Sequence, residues 1–208
     1  MEDYEFDDPP EEPNEFVTDV RNVVLTNLEL VLASIAKAHK AEVAAFEPPD
    51  NGIDQQPYFG WLGSKYDGLR RAAINLALVG VVTRFHHWLI YLANRIRETE
   101  DETFDKNVCQ ELEFLKSRFK KTKVKPSEFT KWMDVRDSII HADSKATWRH
   151  GRGTRKLLPR FVRKGNLSFS ESDLKEAFGS MLQAIGLFEH QVEQWERTKY
   201  GPPIIFKN

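Results

Sequence analysis

The chain has 208 residues, 40% of them hydrophobic and 30% charged, with a formal net charge of -2 and one cysteine. That length supports a self-sufficient core without staples, and the lone Cys109 excludes an internal disulfide framework and any CxxC zinc site. Near-neutrality hides an asymmetry: eight of the 32 acids lie in residues 1–15, which hold no Lys or Arg, leaving 30 basic side chains against the other 24 acids.

Residues 1–13, acidic and broken by Pro9, Pro10 and Pro13, carry too little apolar surface to bury and are expected to be a disordered tail. An acidic start lacks the basic n-region and apolar h-region of a secretory signal. With a cysteine usage that suits a reducing compartment, a cytoplasmic setting is expected. Phe16, Val20, Val23, Val24, Leu28, Val31, Leu32 and Ile35 recur at spacings of three and four, so a long first helix is predicted through Val43. Asn14 is its expected cap, and Pro48-Pro49-Asp50-Asn51-Gly52 ends the segment.

Residues 46–63 read as a loop whose Pro57, Tyr58, Phe59 and Trp61 plug one end of a bundle. A second helix is predicted from Ser64, with Asp67 completing a capping box, to about Arg97. Its stretch Ala72–Val82 is apolar nearly all round, which places it at the centre of the bundle, and is too short to span a bilayer, so no membrane is expected. His86 and His87 point about 100° apart on a helix, unlike the i, i+4 pair that chelates one metal. There is no HExxH, so these histidines read as structural or interfacial, and neither a metal nor a cofactor is expected.

A third helix, Thr103 to Phe119, shows a stripe of Phe104, Val108, Leu112, Leu115 and Phe119. The segment Lys116–Lys125 holds six basic residues and no acid, and Pro126, Ser127 and Glu128 then open a fourth helix. Phe129, Trp132, Met133, Val135, Ile139 and Ile140 supply its apolar side, Arg136 sits at the core boundary, and Asp137 and His141 stack one turn apart. Residues 144–160 read as a basic loop, part of a stretch Lys145–Lys164 with eight basic residues and no acid. Leu157–Val162 and Leu167–Phe169 flank Arg163-Lys164-Gly165-Asn166 as a short hairpin. Ser170 with Asp173 caps a last helix faced by Leu174, Ala177, Phe178, Met181, Leu182, Ile185, Phe188, Val192 and Trp195, and Gly201-Pro202-Pro203 ends it. The fold expected is all-α: an up-and-down bundle of four to five long helices over residues 14–200, with a small β-hairpin before the last helix and a tail at 201–208.

In Arg136-Asp137-Ser138-Ile139-Ile140-His141 an arginine and a histidine flank four residues near the end of a late helix. This RxxxxH pattern, followed by a hairpin and a final amphipathic helix, resembles the signature of the HEPN superfamily, helical bundles that include many metal-independent ribonucleases. The resemblance covers roughly the C-terminal half at motif level and the body only as architecture. It implies an endoribonuclease that cuts single-stranded RNA by 2′-hydroxyl attack and leaves a 2′,3′-cyclic phosphate. Arg136 would bind phosphate, His141 would act as acid or base, and Asp137 would orient the imidazole. Residues five apart on a helix lie about 140° apart, so one motif does not close a site. HEPN ribonucleases pair two motifs in one cleft, which implies a homodimer here, and a protein inhibitor or antitoxin is a partner class that the resemblance brings with it. Toxin members carry a tyrosine two residues after the histidine, whereas this chain has His141-Ala142-Asp143.

The flanking cations Lys120, Lys121, Lys123, Lys145, Arg149, Arg152 and Arg155 are candidate RNA contacts, and Trp148 either stacks on a base or packs against the hairpin. Two other readings stand beside the enzyme. Arg136 and His141 serve as ion-pair or helix-cap residues in a non-catalytic module binding RNA, nucleotide or a partner protein, or the domain is purely structural with its acidic tail on its own basic face.

Overall fold

The computed structural model describes residues 17, 20–46, 54–96, 108–119, 123–150 and 153–200. The expectations for Asn14, Phe16, Phe104, Lys120, Lys121, Arg152 and both tails lie outside them. A π-helical stretch, Val20–Leu25, leads into α1, Thr26–Ala44. Then come α2, Gln56–Ile96; α3, Val108–Arg118; and α4, Ser127–His141. Two small antiparallel hairpins follow, β1 (Thr147–His150) with β2 (Gly153–Lys156), and β3 (Val162–Arg163) with β4 (Asn166–Leu167), before α5, Glu171–Tyr200. The chain is an all-α bundle with minor sheet.

The 41-residue α2 is the axis of the bundle, touching α1, α3, α4 and α5. Its Leu78, Val81, Val82, Phe85, Leu89, Leu92 and Ala93 are fully buried, because α1, α3, α4 and α5 pack around most of that stretch, while Thr83, Arg84 and His87 stay exposed. By length and composition α2 is apolar enough to cross a membrane, with an 18-residue window of mean hydropathy 1.4, and half of that window is buried within the bundle. The apolar run is therefore longer than Ala72–Val82.

Two boundaries differ from expectation. α2 begins at Gln56, not Ser64: the Gln56 N–H donates to Asp54 Oδ1 at 3.0 Å, and Pro57 falls in the first turn, where its missing N–H costs nothing. The helix then runs through Gly60, Gly63 and Gly68 because Leu62 and Tyr66 are buried, with the Tyr66 hydroxyl donating to Glu42 of α1 at 2.6 Å. Tyr58 and Phe59 consequently lie on the first turns of α2, grouped with Phe46 at centroid separations of 4.3 and 5.1 Å, while Trp61 is 56% exposed and plugs nothing. Residues 147–150 and 153–156, read as loop, pair as the strands of the first hairpin, in which Trp148 faces Arg155 and is buried while its strand neighbours Thr147 and Arg149 are exposed.

Other local signals act as read. Ser170 and Asp173 exchange three hydrogen bonds at the start of α5, including Ser170 N to Asp173 Oδ2 at 3.0 Å and Asp173 N to Ser170 Oγ at 3.3 Å. Lys164 and Gly165, at φ 51° and 78°, make the tight turn of the second hairpin, where glycine tolerates the left-handed conformation at no steric cost.

One buried acid sets a pH dependence for the fold. Glu189 on α5 is 7% exposed, and burial, reinforced by Glu193 and opposed by Arg95, pushes its pKa up to about 7 from an ordinary 4.5. The folded chain therefore holds this proton more tightly than the unfolded chain, so stability falls as pH rises from about 4.5 to 7. Glu189→Gln is expected to remove that slope, worth on the order of 2 kcal/mol after allowance for partial solvation. Denaturant midpoints at pH 5 and pH 8 read it, and an equal slope in the variant would contradict the assignment.

Candidate functional site

The motif helix α4 starts at Ser127, directly after Pro126, and buries Phe129, Trp132, Met133, Val135 and Ser138 against the core. That orientation is fixed by aromatic packing: Phe129 stacks on Phe85 of α2 at 5.4 Å, and Trp132 meets Phe161 and Phe169 at 5.7 and 6.2 Å. With these residues inward, Arg136 and Asp137 fall on the flank of α4 that faces α3 and line a cleft of about 470 Å³. His86 of α2, Cys109 and Glu113 of α3, and Arg155 of β2 line the other sides.

Arg136 donates through Nε and Nη2 to Asp137 Oδ1, at 2.9 and 2.6 Å. The pairing expected between Asp137 and His141 is therefore not the one present. A guanidinium one residue away reaches the carboxylate with two charge-assisted hydrogen bonds, which a single imidazole N–H does not match. His141 is the last residue of α4 and exposed. Asp143 and Ser144, at φ 51° and 59°, turn the chain sharply there, and the Ser144 N–H closes on the Ser138 carbonyl at 2.9 Å. Ser138 also donates its hydroxyl to the Lys145 carbonyl at 2.8 Å, tying the turn to the helix. His141 is thereby set at the rim of the bundle and does not line the cleft that holds Arg136.

The basic candidates divide. Arg155 lines the cleft, with Nη1 3.8 Å from Asp134 Oδ1. Lys145 and Arg149 are exposed around the first hairpin, and Lys123 instead borders a small groove between α4 and α5. Trp148 is 7% exposed and belongs to the core cluster, so it packs under the hairpin and is withheld from stacking on a base. Ile140, expected on the apolar side of α4, is 49% exposed, because it lies beyond the reach of the core at the helix end.

What the sequence did not reveal is the other half of the cleft. His86 Nε2 lies 3.1 Å from Glu111 Oε2, and the Glu111 side chain is fully buried between α2 and α3. Cys109, in the same wall, is held as a thiol, since burial pushes its pKa up against the smaller opposing pull of the Thr130 hydroxyl 3.9 Å away. The neighbouring His87 has its pKa lowered by burial and then by the charges of His86 and Arg84, so it favours the neutral form.

A larger cleft, about 730 Å³, lies at the start of α5 and is bordered by Arg70, Arg71, Arg163 and Lys164, with Arg70 engaged by Glu171. Among the described residues no histidine or cysteine borders it, so these offer charge without a proton-transfer group near neutrality. Among the described residues no three His, Cys, Asp or Glu side chains converge as metal ligands. Set against family models, curated proteins and solved structures, the chain matches none.

Proposed function

We propose that the chain is a HEPN-type, metal-independent endoribonuclease of the cytoplasm. It cleaves single-stranded RNA by 2′-hydroxyl attack at a site shared between two copies. The observation that carries this reading is the held guanidinium of Arg136 in a cleft. Asp137 engages Nε and Nη2 and fixes the plane of the group, while about three of its five N–H donors stay available for phosphate oxygens. A preorganised cation of this kind stabilises charge developing on a phosphoryl group without reorganising at the moment of reaction. Arg155 places positive charge in the cleft wall, and the exposed Lys145 and Arg149 add to it around the hairpin, suiting a polyanionic chain.

His141, outside its own chain's cleft, supplies a proton to the cleft of a second copy. A stripe on α2 offers a place for that copy: exposed Leu69, Ala72, Leu76 and Thr83, with half-buried Val79 between, follow at spacings of three and four toward His86, Leu69 being 47% and Leu76 68% exposed. A protein inhibitor is an accompanying expectation of the resemblance. The second reading, a non-catalytic RNA-binding module, is favoured by the closure of Arg136 on Asp137 and Arg155 near Asp134, which with Glu113 leaves three carboxylates against two guanidiniums in the cleft.

Incubation of the purified chain with single-stranded RNA in EDTA separates the two. The enzyme reading expects fragments with 2′,3′-cyclic phosphate ends and at least a ~100-fold slower rate for His141→Ala. Cleavage by that variant at the wild-type rate refutes the role of His141, and binding without cleavage by the wild type establishes the module.

A further inference from the structure

Phosphodiester cleavage by 2′-hydroxyl attack needs two proton transfers, one from the nucleophile and one to the leaving oxygen. His141 accounts for one. We infer that His86, held by the buried carboxylate of Glu111, is the second proton-transfer residue of the Arg136 cleft. The inference rests on the cleavage reading and adds to it a catalytic residue and its positioning partner.

Val108, Glu111, Leu112 and Leu115 are all buried on one face of α3, and three of the four are apolar. A leucine at position 111 would fill the same space without the several kcal/mol that burying a carboxylate costs. The acid instead faces His86, 3.1 Å away, and His86 lines the cleft that contains Arg136 with its side chain one quarter exposed. One end of the imidazole thus lies in ion-pair contact with a buried carboxylate while the ring borders open space, and a carboxylate so placed biases the tautomer and orientation of a histidine base. Nε2 is the ring nitrogen on the Glu111 side of this ion-pair contact, which leaves Nδ1 for exchange with substrate.

The step then balances. The 2′-hydroxyl proton passes to His86 Nδ1 as the 2′-oxygen forms its bond to phosphorus. The bond from phosphorus to the 5′-oxygen breaks, and that oxygen takes the proton of a protonated His141 from the second copy. The products are a 2′,3′-cyclic phosphate and a 5′-hydroxyl, and exchange with water resets both histidines. Arg136 steadies the phosphoryl oxygens throughout and changes no proton.

The test uses the full chain and a single-stranded RNA substrate. His86→Ala is expected to lower kcat about 100-fold with KM within about twofold, and added imidazole to restore part of the rate, since removal of the ring opens the cleft wall. Glu111→Leu is expected to lower kcat about 10-fold while the thermal midpoint holds or rises, because a well-packed apolar side chain replaces a buried charge. If the wild type cleaves and either the His86→Ala rate is unchanged or imidazole restores none of it, the assignment of His86 is overturned while the cleavage reading stands. A Glu111→Leu chain that keeps wild-type kcat overturns the positioning role. Absence of cleavage by the wild type overturns both readings. Should His86→Ala lose its fold, His86→Gln is judged by the same division between kcat and KM.

Discussion

Replacing Arg136 with alanine is expected to slow single-turnover RNA cleavage about 10²–10³-fold, the usual cost of deleting one preorganised charge-stabilising donor. The loss should fall on kcat more than on KM, because the hairpin cations still hold the RNA backbone. Arg136→Lys keeps the charge but not the fork that donates to Asp137 at 2.9 and 2.6 Å, so it should recover only part of the rate. Coexpression adds a sharper expectation. In a symmetric dimer whose cleft takes Arg136 from one chain and His141 from the other, equal amounts of Arg136→Ala and His141→Ala chains should regain about a quarter of wild-type activity. Half the dimers are mixed, and each of those keeps one complete cleft. No recovery by the mixture contradicts the shared site, and a rate for Arg136→Ala within threefold of wild type contradicts the role of the guanidinium.

The second large effect concerns the fold under the motif. Trp132 is fully buried, and its indole is bracketed by Lys131 Nζ at 4.4 Å and the Arg160 guanidinium at 5.5 Å from the ring centroid. Both cations also bind Glu176 of α5, and these two bonds hold its carboxyl below the usual range. Trp132 therefore joins α4, the 3₁₀ turn Pro159–Phe161 and α5 in one packed unit. Trp132→Ala leaves a cavity the size of an indole and is expected to cost about 3–5 kcal/mol, or roughly a 10 °C fall in thermal midpoint for a chain of this size. Calorimetry or urea unfolding measures it, and a loss below about 1 kcal/mol would show that the site collapses around the gap.

How far the sequence carried is best seen at particular residues. The start of α5 was legible because Ser170 and Asp173 satisfy helix N–H groups locally, within four residues. The start of α2 was not, since Pro57, Gly60 and Gly63 disfavour a helix on local terms and only tertiary burial of Leu62 and Tyr66 outweighs them. The first hairpin escaped notice because a four-residue strand buries a single large side chain, Trp148, which is too little alternation to register as a pattern. At the site, the spacing from Arg136 to His141 could be read from one helix, and α4 sets Arg136 on a cleft wall. The bond of Asp137 to Arg136 went unseen because geometry along a helix favours i, i+4 neighbours, whereas a long guanidinium folds back on its adjacent residue. The contact of His86 with Glu111 could not be read because its partner lies 25 positions away on another helix, beyond any local pattern.

The walls of the Arg136 cleft come from positions between His86 and Arg155, while neither α1 nor α5 contributes to it. The ties that close the bundle are more distant in the chain: Arg95 with Glu196, and Arg70 with Glu171, each span 101 residues. Closing a longer loop costs more conformational entropy, so contacts that define the cleft are easier to form from an open chain than those that dock the last helix. Topology thus allows the neighbourhood of Arg136 to take shape on the second half of α2 early in folding, with α5 closing over the opposite side afterwards.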